Sequence, residues 1–152
     1  MISDQEFLHG AAFLRLINLG QPITVTHASS IHSSIYIVSS LTKLSGILFK
    51  VSTKSRSAWS FTFSDQEDTA INILKSKYPD IEFFAALVCH RDGVCCLSED
   101  QLLTVFDSDS PIFTGQRVSV SRKSNSSYHV NGAKKVRTEK TVPQNAWPKL
   151  VV

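Results

Sequence analysis

Between Phe7 and Ser64 the chain contains no aspartate and no glutamate, although the same stretch carries Arg15, Lys43, Lys50, Lys54 and Arg56 with His9, His27 and His32. Carboxylate pairs for metal-ion or general acid–base chemistry are therefore excluded from more than a third of the sequence. Cysteine is scarce, and the three present, Cys89, Cys95 and Cys96, are clustered and odd in number. A disulfide scaffold spreads an even set along the chain, so reduced, packed thiols are expected. No run of about 18 apolar residues occurs, which excludes a membrane-spanning helix on sequence grounds. There is no G-x-G-x-x-G, no P-loop and no G-x-S-x-G elbow, so nothing points to a dinucleotide, a nucleotide triphosphate or serine hydrolysis. No cofactor is expected. The opening residues include Asp4 and Glu6 where a secretory leader would be basic, so a cytoplasmic protein is expected.

What is present suits one α/β (α+β) domain over residues 1–152. The chain is 42% hydrophobic and 19% charged, enough to bury a core. The net charge of +3 is unevenly spread: residues 1–64 sum to +3, 65–109 to −7 and 110–152 to +7. Such blocks make a dipolar surface with one anion-attracting side, or are simply solvated.

Three capping boxes mark helix starts. Ser3-Asp4-Gln5-Glu6 predicts a helix to Leu19, stopped by Gly20 before Pro22. Phe7, Gly10, Ala11, Leu14 and Ile17 share one face, while Phe13 and Leu16 lie elsewhere. A helix apolar nearly all round is covered by the fold or by a partner. Ser64-Asp65-Gln66-Glu67 starts a second helix, to about Lys77, and Ser98 with Gln101 starts a short third through about Phe106. Strands are predicted at Ile23–His27, Ser34–Val38, Ile47–Lys54 and Trp59–Phe63, and a central, doubly covered strand at Ile81–Cys89. Asp92-Gly93 predicts a two-residue turn folding Val88–Arg91 onto Val94–Leu97. Gln116–Arg122 and Ser127–Asn131 read as a last hairpin. The core spans about 3–106 and the basic hairpin and tail about 112–152. Helices should cover a mixed central sheet.

Two groups of residues are candidates for anion binding. Strand alternation puts Lys50, Ser52 and Lys54 on one side, with Arg56 extending the row, and Ile47, Phe49 and Val51 on the other. Arg117, Ser119, Ser121 and Lys123 alternate onto one face of the later strand, followed by His129 and then by Lys134, Lys135, Arg137 and Lys140. Cations among hydroxyl donors suit sequence-independent phosphate contact; an ordinary solvated edge is the alternative. In the predicted turn Cys89 faces Cys96 and His90 faces Cys95 on opposite sides of the hairpin, so these four do not converge on one tetrahedral metal. Trp59 and Trp147 are either stacking platforms for bases or packed side chains, with Trp147 pinning the tail to the domain or to a partner.

The order helix, strands, helix, strand over about residues 3–90 resembles the restriction-endonuclease-like core of the PD-(D/E)xK nuclease superfamily. The resemblance implies a core-strand lysine, matched by Lys54 in Ser52-Thr53-Lys54 or by Lys50 in Leu48-Phe49-Lys50. The family acid two positions earlier is here Ser52 or Leu48, and the preceding strand offers Ser33, Ser34 and Ser39. Glu6 corresponds to an accessory acid of some members. One carboxylate makes a poor site for a divalent metal. The resemblance thus implies a non-catalytic, nuclease-like domain that binds DNA or RNA through its basic residues. Two other readings are carried: an accessory subunit or homodimer formed through the first helix or the C-terminal tail, and a divergent metal-dependent nuclease recruiting Glu6 with Asp65 or Glu82.

Overall fold

The computed structural model describes residues 1–107, 112–123, 125–132 and 141–152. The order is α1 (Asp4–Ile17), β1 (Thr24–His27), β2 (Ile35–Ser39), β3 (Leu44–Ser52), β4 (Trp59–Thr62), α2 (Asp65–Lys77), β5 (Glu82–Cys89), β6 (Gly93–Ser98), α3 (Glu99–Val105), β7 (Arg117–Ser121), β8 (His129–Asn131) and α4 (Ala146–Lys149). The chain is a mixed α/β domain, as its pattern predicts. Among the described residues no helix is long and apolar enough to cross a membrane.

All three capping boxes form. The Ser3, Ser64 and Ser98 hydroxyls accept from the amides of Glu6, Glu67 and Gln101, whose side chains in turn accept from the serine amides. Each satisfies two amides that the first helical turn otherwise leaves free.

The strands form two sheets. The larger runs β1-β2-β3-β5-β6, with β3 and β5 parallel and the other neighbours antiparallel. The smaller runs β4-β7-β8, all antiparallel. Trp59–Thr62 thus leaves the central sheet and pairs with the later hairpin, because Trp59 and Phe61 are buried opposite Val120 and Val118.

Alternation along β3 decides what covers each face. Phe49 points to α1 and α4, with ring centroids 4.9 Å from His9, 5.1 Å from Phe13 and 5.4 Å from Trp147. Gly46 and Lys50 point to α2: a Cβ on Gly46 would lie 2.6 Å from a Leu74 methyl, so a larger residue would push the helix off the sheet. Strand β5 is buried from Phe83 to Cys89, the pattern of a strand covered on both sides.

The β5–β6 hairpin departs from its sequence-based register. Cys89 pairs with Gly93, Leu87 with Cys95 and Ala86 with Cys96, leaving a three-residue loop of His90, Arg91 and Asp92. His90, the first residue of the loop, takes the left-handed conformation at φ 48°. Asp92 is drawn out of the turn centre by tertiary partners. Its carboxylate accepts from Arg122 Nε at 2.8 Å and Nη2 at 3.0 Å, and from the Tyr128 hydroxyl at 3.1 Å. Tyr128 lies so close over Gly93 that a Cβ there would meet its hydroxyl at 2.5 Å.

The C-terminal segment closes the core. Trp147 is buried, with its indole N–H donating to the Ala12 carbonyl at 3.0 Å, and Val151 is buried, with its carbonyl accepting from Ser45 Oγ at 2.9 Å. Of the two destinations open to Trp147, the domain takes it.

Candidate polyanion-binding surface

Lys50 stands apart from the row that alternation suggests. Its ammonium lies 2.7 and 2.8 Å from the two carboxylate oxygens of Glu67 and 5.2 Å from the centre of the Phe63 ring. Glu67 is buried, and one of its oxygens also accepts from the Ser64 amide at 2.8 Å. The charge is therefore matched within the fold, under α2. Ser52 is spent locally, its hydroxyl accepting from the Lys54 amide at 3.3 Å.

The smaller sheet offers a different surface. Its inner residues, Trp59, Phe61, Val118, Val120 and Val130, are buried. Register then places Ser60 beside Ser119 beside Asn131, Thr62 beside Arg117, and Ser121 beside His129, all on the opposite side. Among the described residues of the three strands, this outer face carries hydroxyls, an amide, an imidazole and a guanidinium, and no carboxylate. The Arg117 guanidinium donates to Ser60 Oγ at 3.1 Å, which fixes its head along the sheet. A shallow depression of about 310 Å³ is lined there by Ser60, Arg117, Ser119 and Asn131.

The β3–β4 loop joins this face at its other end. Arg122 donates its amide to Ser57 Oγ at 3.2 Å, so the loop that carries Lys54 and Arg56 abuts the strand end that carries Lys123. The Lys54 carbonyl accepts from the Trp59 indole at 2.8 Å, and its ammonium donates to the Ala58 carbonyl at 2.8 Å. Lys54, Arg56, Arg117 and Lys123 are exposed, and His129 is half-buried. At this contact the loop that carries Lys54 and Arg56 touches the end of β7, and Lys50 lies apart under α2. Lys134, Lys135 and Arg137 lie outside the described residues.

Sequence reasoning missed a polar cleft that adjoins this face. Gln5, His9, Ser34, Lys50, Ser60, Thr62 and Glu67 line about 310 Å³ between the start of α1 and the C-terminal part of β3. Ser60 lines both depressions. Next to it, His9 Nδ1 is 3.4 Å from the Tyr36 hydroxyl, and His27 stacks on Tyr36 at 4.4 Å. Burial, helped by nearby His27, lowers the pKa of His9 to about 4, so its ring is neutral at physiological pH. The available signal was the strand pairing of His27 with Tyr36 and a histidine on the inner face of α1; neither is visible before the register is known.

The serines of the cleft are Ser34 and Ser60. Among the described residues no group of three or more His, Cys, Asp or Glu could hold a metal ion. The thiols are no better placed for chemistry: burial raises Cys89 and Cys96 to about 12 and Cys95 well above its ordinary value. A scan against family models and searches of curated proteins and of solved structures found no match to this chain.

Proposed function

We propose that this chain is a non-catalytic, nuclease-like domain that binds nucleic acid through the outer face of its smaller sheet. The observation that carries the reading is the register of β4, β7 and β8. It gathers Ser60, Thr62, Arg117, Ser119, Ser121, His129 and Asn131 on one face whose described strand residues include no carboxylate, with Lys123 and the loop that carries Lys54 and Arg56 at its end. Hydroxyl and guanidinium donors without a competing carboxylate suit phosphate oxygens and carry no base information. The nuclease-like part of the reading rests on the element order; Ser52 or Leu48, and Ser33, Ser34 and Ser39, depart from the family's acids, which is why the reading is non-catalytic.

Four exposed cations predict a log–log salt slope of about −3.6 on duplex DNA, so affinity falls roughly 100-fold between 50 and 200 mM salt. Fluorescence anisotropy with labelled single- and double-stranded oligonucleotides measures this. Arg117→Ala with Lys123→Ala should flatten the slope by about 2. Equal affinity for a neutral polymer, or a slope that ignores both substitutions, overturns the proposal.

A further inference from the structure

The first helix presents its larger apolar face to solvent. Phe7, Leu14 and Ile17 are 58, 58 and 64% exposed, with Gly10 and Ala11 exposed between them. Leu8, His9, Ala12 and Leu16 are the side buried against the sheet. Apolar side chains spaced 3, 1, 3 and 3 residues apart form a continuous stripe, the kind that packs on another helix.

Gly10 has no use inside the fold. A Cβ there would meet nothing within 4 Å, and its backbone φ is not positive. Glycine in mid-helix is less favourable than alanine. What it offers is a low point on the stripe, where a second backbone can approach closely.

Charge identifies what approaches. Asp4 and Arg15 are exposed, and neither forms an ion pair among the described residues. They are eleven residues apart, three turns, and so lie on one flank of the stripe. A two-fold axis across the helix beside Gly10 turns that flank end for end onto its own copy. Asp4 then meets Arg15 of the second copy, Phe7 comes level with Leu14, and Gly10 sits at the crossing. The helix dipoles are antiparallel in the same arrangement. The stripe is complementary to itself.

We infer that this protein forms an isologous homodimer through α1, packed antiparallel about Gly10. The contact is only about four helical turns long. It therefore falls at the small end of specific interfaces and gives a dimer in the micromolar range.

Sedimentation velocity from about 1 to 200 µM tests the inference on the intact chain. The wild type should pass from monomer to dimer across that range. Gly10→Leu should stay monomeric at every concentration and melt no lower than wild type, because the new side chain has free space and better helix propensity. Asp4→Arg and Arg15→Asp should each weaken dimerisation at least about threefold, and the double reversal should recover it. A wild type that is monomeric throughout, a Gly10→Leu protein that still dimerises, or a double reversal no better than the singles would overturn it.

Discussion

Lys50 and Glu67 form a two-pronged ion pair across the gap between β3 and α2, with both carboxylate oxygens within 2.8 Å of one ammonium. The side chains keep only 15% and 9% of their exposure. Desolvation offsets much of the attraction in such a pair, but an orphaned member is costly. Lys50→Met should therefore destabilise the protein by about 3 kcal/mol, read by urea denaturation. Lys50→Met with Glu67→Leu should cost clearly less than the two singles added. Additive losses would show that the two charges do not depend on each other.

His9 makes the domain acid-sensitive. Its folded pKa, about 4, is below the unfolded value of 6.5. The unfolded chain binds the proton first, so stability is full above about pH 6.5 and falls as pH drops towards 4. His9→Phe keeps an aromatic ring beside Phe49 and should flatten the fall in melting temperature over that window. An unchanged slope would place the acid sensitivity on other groups.

The cysteines give a third check. Cys89, Cys95 and Cys96 are all buried, and burial holds each thiol in its protonated form. A chromogenic disulfide reagent at pH 8 should label fewer than about one in ten of them in the native protein, and all three in denaturant. Fast native labelling of one would mark that strand as open.

Local signals in the sequence were reliable where a few adjacent residues decide the outcome. Ser3, Ser64 and Ser98 cap helices because the partner sits three residues away. The alternation that separates Phe49 from Lys50 also holds. Two expectations failed or fell short because distant residues decide them. The Asp92-Gly93 turn was overruled by Arg122 and Tyr128, which claim the Asp92 carboxylate. Lys50 is neutralised by Glu67, seventeen residues on, so its place in a basic row could not be judged from β3 alone. For α1 the periodicity was right, but it does not say which face of a helix apolar nearly all round turns inward. The sheet beneath is already crowded by Phe49 and Tyr36, and it accepts the side bearing Ala12 and His9.

The hydrogen bond from Trp147 to Ala12 also sets a clock. The indole that roofs the first helix is synthesised 135 residues after the carbonyl it bonds. At roughly 5–20 residues per second the gap is on the order of ten seconds. Throughout that interval the nascent chain carries an aromatic layer around Phe49 that Trp147 has yet to cover.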